Sequence, residues 1–167
     1  MKSRAALGRA AGSPKQSGFT LIEALMVIAI LGIFTALAAP SFSNTIATMR
    51  IKSISFDLVN DLNIARSEAI KRNAVVVMAS EGDDWNQGWR ITSGGTTLKT
   101  REALTGSIAI ASDETEISFL RNGRPDVVAD GDDATDFSIT SSLTGVTGRC
   151  VKLQPTGSAR SVKEACP

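Results

Sequence analysis

The chain of 167 residues contains no histidine and no tyrosine, and it has two cysteines. Without histidine there is no Ser-His-Asp triad, no Cys-His pair, no His-ligated zinc and no HExxH site. Two cysteines cannot build a four-cysteine metal centre. Carboxylates remain as candidates for acid–base chemistry. Net charge is also nearly absent: 18 basic side chains stand against 17 acidic ones. The hydrophobic fraction of 43% is ordinary for a globular protein. The length fits one domain plus, at most, an appendage.

The small net charge hides an asymmetry. Residues 1–18 carry Lys2, Arg4, Arg9 and Lys15 and no acid, which leaves 14 basic and 17 acidic residues for the rest. A cationic N-terminus before an apolar run is a targeting pattern. The run is Phe19 to Ala39, FTLIEALMVIAILGIFTALAA, 21 residues long. About 20 apolar residues suffice to cross a bilayer as a helix. The positive-inside preference keeps the basic leader cytoplasmic and puts everything after the run outside the cytoplasm. Cys150 and Cys166 are then expected to form a disulfide in an oxidising compartment. A cleavable secretory signal is the alternative, since Ala36-Leu37-Ala38 loosely fits its cleavage site. Against it, the run exceeds the roughly 7–15 residues of a signal core.

The run also holds one ionisable residue, Glu23. A carboxylate inside a bilayer costs roughly a few kcal/mol unless it finds a partner. It could reach for water at the interface. A cut between Gly18 and Phe19 would instead create a free amine four residues before Glu23, on its own chain or on a neighbour's. Gly18-Phe19-Thr20-Leu21-Ile22-Glu23 resembles the class III signal of type IV prepilins and type II secretion pseudopilins: a glycine, an apolar residue, three variable residues, a glutamate, then an apolar helix. The resemblance implies cleavage after Gly18 by prepilin peptidase and N-methylation of Phe19. It also implies that Glu23 docks to the next subunit's N-terminus during assembly.

Pro40 follows the run, and a proline removes a helix donor and bends or breaks the helix. From Ser41 to about Arg72, Ile51, Ile54, Leu58, Leu62, Ala65 and Ala69 recur at helical spacing, which predicts an amphipathic helix with one face for a folded domain. Ala65-Arg66-Ser67-Glu68-Ala69-Ile70-Lys71-Arg72 resembles the helix end of GspH/FimT-type minor pilins and pseudopilins. After Asn73 the pattern turns to short strands: 74–78, 88–92, 96–99, 108–110, 116–120, 127–128, 137–139, 150–153 and 159–162. Gly94-Gly95 and Asn122-Gly123 are turn signals between them. The expected fold is α+β and pilin-like, a long N-terminal helix packed on a small antiparallel β domain. Its parts are a leader (1–18), a helix (19–73, with 19–39 transmembrane and 41–73 amphipathic) and a β-rich outer domain (74–167). Trp85 and Trp89 flank Asn86-Gln87-Gly88. They read as packing residues beside a glycine turn rather than as a stacking platform for nucleic acid.

Asp130-Gly131-Asp132-Asp133-Ala134-Thr135-Asp136 is an acidic cluster, but Ala134 and Thr135 occupy positions where an EF-hand loop needs a ligand and a glycine. It reads as a solvated loop, as does Glu81-Gly82-Asp83-Asp84. Acids gathered in glycine-rich turns do not suggest the shielded pair that acid–base catalysis requires. Residues 143–167 carry Arg149, Lys152, Arg160 and Lys163 against Glu164 alone, whereas 81–136 holds twelve acids and five bases. Two readings of these cations stay open: a solvated face of a disulfide-closed hairpin, and a patch that holds DNA phosphates electrostatically. Gly157-Ser158-Ala159-Arg160 is similar to the Gly-Arg-x-Arg pattern of DNA-binding FimT-type members, with Ser158 in place of the first arginine.

Together these features resemble a minor type IV pilin or type II secretion pseudopilin precursor that works by assembly and not catalysis. The implied partners are prepilin peptidase, other minor pilins, the major pilin, the inner-membrane assembly platform, inner-membrane lipid before assembly, and non-specific DNA. No cofactor and no metal is implied. Intact-mass measurement of membrane-extracted protein should show loss of residues 1–18 and gain of one methyl group; a mature N-terminus near Ala39 would mean an ordinary secretory signal.

Overall fold

The computed structural model describes residues 18–127, 134–164 and 166, without the side chains of residues 37–41. One helix, α1 (Leu21–Arg72), precedes eight strands: β1 (Val76–Glu81), β2 (Asp84–Ser93), β3 (Thr96–Arg101), β4 (Ile108–Ala111), β5 (Glu116–Phe119), β6 (Thr135–Ser141), β7 (Arg149–Leu153) and β8 (Ala159–Val162). The chain divides into two compact units at Ala39/Pro40. Helical backbone continues through Pro40, so the proline does not end the helix. The leader before Gly18 lies outside the described residues.

In the first unit the described side chains from Leu21 to Ala36 are all exposed. Among the described residues, no helix is long and apolar enough to cross a membrane. The side chains that complete the 21-residue run, 37–39, lie outside that description. The expected transmembrane role of 19–39 therefore rests on the sequence.

In the second unit, the helix face expected from the periodicity is the buried one. Ile51, Ile54, Leu58, Leu62, Ala65 and Ala69 join the core, with Ala47 one turn earlier. The helix ends in a Schellman motif: Asn73 adopts φ 50°, its N–H donates to Ile70 O, and Ala74 N–H donates to Ala69 O. Lys71 and Arg72 sit in the last turn, where the helix dipole favours cations. Both pair with Glu68, at 3.4 and 2.5 Å. The Arg72 hydrogen bond holds the Glu68 carboxyl below its ordinary value.

The strands form two four-stranded antiparallel sheets, β3-β2-β1-β5 and β4-β6-β7-β8. Gly94 and Gly95, both at positive φ, make the two-residue turn between β2 and β3. Gly82 and Asp83 do the same between β1 and β2. The expected strand at 127–128 is absent at Val127, and Val128 lies outside the described residues. The Asn122-Gly123 turn is present, with Gly123 N–H donating to Leu120 O. It is closed by a single bridge between Phe119 and Pro125.

Gly88, expected both to open the strand 88–92 and to form a turn between the tryptophans, lies inside β2 at φ 97°, which bears out the strand and corrects the turn. A β-carbon there would lie 2.1 Å from Arg101 O, so glycine lets the end of β3 pass close. Trp85 and Trp89 consequently share one face of a strand, and both are buried. Trp85 meets Phe137 of the second sheet edge-on, with ring centroids 5.0 Å apart. Asn86 also joins the sheets. Its Oδ1 accepts from Ile110 N–H at 2.7 Å and its Nδ2 donates to Ile110 O at 3.3 Å, so its amide covers part of the open edge of β4.

The most constrained contact lies between α1 and the first sheet. Asp61 is 1% exposed. Its Oδ2 accepts from Trp89 Nε1 at 2.9 Å and its Oδ1 from Lys99 Nζ at 2.5 Å. One turn earlier, Asp57 Oδ2 accepts from Arg101 Nη2 at 2.9 Å. Four helical residues rise about 6 Å and two strand residues about 6.8 Å, so the pairs Asp57/Asp61 and Arg101/Lys99 match in spacing. Asp61→Ala should lower stability by about 2 kcal/mol, because it leaves the buried Trp89 N–H without an acceptor. Asp57→Ala, which breaks a half-exposed pair, should cost less than about 1 kcal/mol. Thermal unfolding of the detergent-solubilised chain, followed by tryptophan fluorescence, should separate the two variants; equal losses would refute this ranking.

Candidate functional site

Two regions carry the candidate residues. The first is the N-terminal signal. Thr20 caps the helix: its Oγ1 accepts from Glu23 N–H at 3.3 Å, and its carbonyl accepts from Ala24 N–H. Thr20-x-x-Glu23 is thus the threonine half of a capping box with glutamate at N3. The sequence reading missed this role, although the spacing was available. Position N3 also places the Glu23 carboxylate at the positive end of the helix dipole. Phe19, just before the cap, is 82% exposed. Gly18 is different in kind from Gly88. A β-carbon on Gly18 would meet nothing within 4 Å, so packing among the described residues gives no reason for glycine there.

The second region is the C-terminal half of the second sheet. Cys150 and Cys166 form a disulfide across 16 positions. A loop of that size contributes about 3 kcal/mol in the chain-entropy estimate. The bridge encloses β8 and brings the C-terminal segment back to β7. Cys150 lies on the outer face of the sheet, opposite Ser138 and Val162, yet is fully buried. The Asp136 carboxylate lies beside both sulfurs. Because both cysteines are already bonded to each other, this cluster offers no thiolate for a metal.

The four expected cations do not share one face. Lys152 lies opposite Asp136 on β6 and Arg160 on β8, so these three form a row across the outer face. Asp136 Oδ2 is 3.6 Å from Lys152 Nζ and offsets part of the positive charge. Arg149 belongs to the other face. Its Nε donates to Ser161 Oγ at 2.9 Å, and its guanidinium lies 5.7 Å from the centre of the Phe56 ring on α1. Lys163 is exposed beyond the end of β8.

Gly157 of the Gly-Ser-Ala-Arg stretch has a structural reason. It is buried at φ 81°, where a β-carbon would lie 2.1 Å from Gly123 O and 3.1 Å from Arg66 Nε. The turns at 120–124 and 154–158 therefore meet over Arg66. Arg124 Nε donates to Pro155 O at 3.2 Å. Arg66 and Arg124 thus flank the turn that carries Ser158. Sequence reasoning did not select them, because the two turns are adjacent only in the folded chain.

Glu81 and Asp84 of the first acidic turn, expected as a solvated loop, are engaged in structure. Glu81 binds Arg90 through both oxygens, at 2.9 and 2.7 Å, and this pairing pushes the Arg90 value up. Asp84 Oδ1 accepts from Asn86 N–H and Nδ2. Asp130, Asp132 and Asp133 lie outside the described residues.

Residues 57–157 match the family model described as type II transport protein GspH, and residues 13–39 match that of the prokaryotic N-terminal methylation motif. The chain belongs to the GspH family of minor pilins and pseudopilins. It is 32% identical over 95 residues to a type IV major alpha-pilin of Moraxella bovis, covering 57% of this chain and 59% of that one. It is 46% identical over 44 residues to the fimbrial protein EcpB of Eikenella corrodens, covering 26% and 28%. The match thus spans less than two thirds of the length of either relative. Among solved structures, the Pseudomonas aeruginosa type IV minor pilin FimU superposes with a TM-score of 0.56 at 18% identity, over 71% of this chain and 89% of that one. The minor pseudopilin EpsH of the Vibrio cholerae type 2 secretion system gives 0.50 at 14%, over 67% and 95%. These two likenesses concern the fold. The GspH-family fold, a long helix leading into antiparallel sheets, is the one expected from the sequence.

Proposed function

We propose that this GspH-family chain is a filament subunit made as a precursor. Prepilin peptidase cuts between Gly18 and Phe19, Phe19 is N-methylated, and residues 19–39 hold the subunit in the inner membrane with the β domain on the periplasmic side. The subunit then joins a type IV pilus beside other minor pilins and the major pilin, through the inner-membrane assembly platform. The single observation that carries this reading is Gly18 in the signal Gly18–Glu23. Among the described residues no neighbouring atom accounts for glycine at this position, whereas a processing enzyme reading an exposed segment would. A type II secretion pseudopilus is the alternative assembly. The Moraxella relative, a type IV major alpha-pilin, and the Eikenella relative, a fimbrial protein, favour the pilus.

Glu23 supplies the assembly step in this reading. Its carboxylate pairs with the amine of a processed N-terminus, which offsets the cost of holding a charge in an apolar layer. Glu23→Ala should leave membrane insertion intact, because it makes the run more apolar, and should deplete the subunit from sheared filaments at least about tenfold, as expected for loss of roughly 1.4 kcal/mol or more of docking. Normal recovery in filaments would overturn the assigned role.

DNA contact is a second reading, favoured by the arginines that flank the Gly157 turn. Arg66 and Arg124 bring positive charge to the place where Ser158 replaces an arginine, and Arg160 follows two residues later. Such a patch would hold phosphates without reading bases. Titration of the solubilised chain with duplex DNA at several salt concentrations tests it. Arg160→Ala should reduce the magnitude of the log–log salt slope by about 0.9, and Arg149→Ala, which points at Phe56, should leave it unchanged. Absence of binding at low salt, or equal effects of both variants, would overturn this reading.

A further inference from the structure

A carboxylate lies against the disulfide of the second sheet. Asp136 stands opposite Lys152 across β6 and β7, and Cys150 stands opposite Ser138, so Asp136 and Cys150 are diagonal neighbours on one face. Cys166 closes on Cys150 from the C-terminal segment. A carboxylate oxygen of Asp136 lies within 4.8 Å of both sulfurs. Asp136 Oδ2 has Lys152 Nζ at 3.6 Å, and the two side chains are only 26% and 16% exposed. Asp136 Oδ1 is buried and, among the described residues, accepts no hydrogen bond. A buried carboxylate oxygen without a donor is uncommon and costs stability, so packing alone does not explain this residue. The other charges nearby are Arg160, opposite Lys152 on β8, and Lys163 and Glu164, which are exposed.

Thiol–disulfide exchange depends on which sulfur is reached and on how readily the other leaves as a thiolate. Cys150 is fully buried and Cys166 half-buried, so an external thiolate reaches Cys166 Sγ. A dithiol reductant forms a bond to that sulfur, the Cys150–Cys166 bond breaks, and its electron pair leaves on Cys150 Sγ as a thiolate. The second thiol of the reductant then attacks its own sulfur in the mixed disulfide. This step closes the oxidised reductant and releases Cys166, and the two protons of the dithiol end on the two cysteines. In both steps negative charge develops on a sulfur beside Asp136. In partly buried surroundings, like charges a few ångströms apart repel more strongly than in water and are screened less by salt. The Lys152 ammonium offsets part of this repulsion.

We propose that Asp136 guards the Cys150–Cys166 disulfide against reduction by dithiols, and that Lys152 sets the strength of the guard. The carboxylate acts by disfavouring the leaving thiolate and not by stabilising the sheet. The missing donor on Oδ1 fits this role, because a hydrogen bond there would draw off charge that now opposes a thiolate. The bridge so protected keeps the C-terminal segment, with Arg160 and Lys163, closed onto β7.

The experiment reduces the detergent-solubilised full chain with dithiothreitol at one pH and ionic strength. Free thiols are trapped at intervals with a high-mass maleimide and counted by gel shift. Asp136→Asn, which keeps the shape and removes the charge, should be reduced at least about threefold faster than the parent, and Lys152→Met at least about threefold slower. A substitution that merely loosens the sheet speeds reduction, so the opposite signs separate charge from packing. In guanidinium chloride, which takes the carboxylate away from the sulfurs, the three chains should react at one rate. An Asp136→Asn rate equal to or below the parent's, or acceleration by both substitutions, would overturn the proposal. Differences of the same size in guanidinium chloride would overturn it too, since the fold would then play no part.

Discussion

A buried carboxylate fixes how the helix lies on the sheet. Asp61 is almost fully enclosed, and a charge in that position is costly unless donors surround it. The donors come from two different strands, Trp89 on β2 and Lys99 on β3. The helix can therefore dock only on a sheet whose β2–β3 register is already correct. A shift of one residue along α1 would rotate Asp61 by about 100° and carry it away from both donors. The apolar face alone is less selective, because Leu58, Leu62, Ala65 and Ala69 would still find apolar partners in nearby registers. Burial of that face supplies most of the driving force, and the buried ionic contact selects one arrangement from several, a use of polar groups that need not add net stability.

Much of this was legible in the sequence, and the limits follow from what each signal depends on. The helix face from Ile51 to Ala69 was readable because 3.6-residue periodicity is local. The Gly94-Gly95 hairpin was readable because its two residues carry the backbone requirement themselves. Gly88 was misread as part of a turn for the opposite reason. A glycine after Asn86-Gln87 looks like a turn signal, but its positive φ serves the approach of Arg101 O from a neighbouring strand. The same limit hid Arg66 and Arg124, which reach the Gly157 turn only after two distant turns meet. The cations Arg149, Lys152, Arg160 and Lys163 formed a group by proximity in sequence. Strand alternation then divides them, since 149 and 152 fall on opposite sides of β7. Asp61, at the centre of the core, drew no reading from the sequence, because its partners lie 28 and 38 positions away.

Glycines divide along the same line between internal and external demands. Gly88, Gly123 and Gly157 each have a neighbour that a β-carbon would strike, so the fold itself requires them. Gly18 has none. A glycine in an extended segment lacking such a neighbour carries an entropic cost that nothing in the chain offsets. The methylation motif matched over residues 13–39 includes this glycine, and in the proposed reading the processing enzyme supplies the requirement.

The first unit of the helix poses a different problem from the second. Its described side chains are exposed on every side, and they include Leu21, Ile22, Leu25, Met26, Val27, Ile28, Ile30, Leu31, Ile33 and Phe34. A helix apolar all round calls for an apolar environment all round, either lipid or other helices. Under the proposed reading it meets both in turn, first the bilayer and then the filament. Transfer between them gains little from the hydrophobic effect, because lipid tails are as apolar as leucine. Packing and polar contacts must then decide the direction of transfer. Glu23 is the one ionisable side chain in the run, and its cost falls only when a cation joins it. A lone subunit in lipid leaves that carboxylate at the mouth of the helix with the dipole and solvent as its support. A neighbour's N-terminal amine adds an ion pair in the same low-dielectric layer, where such a pair is strongest. In the proposed reading, the residue that most disfavours the helix as a simple anchor is thereby the one that gives assembly its preference over lipid.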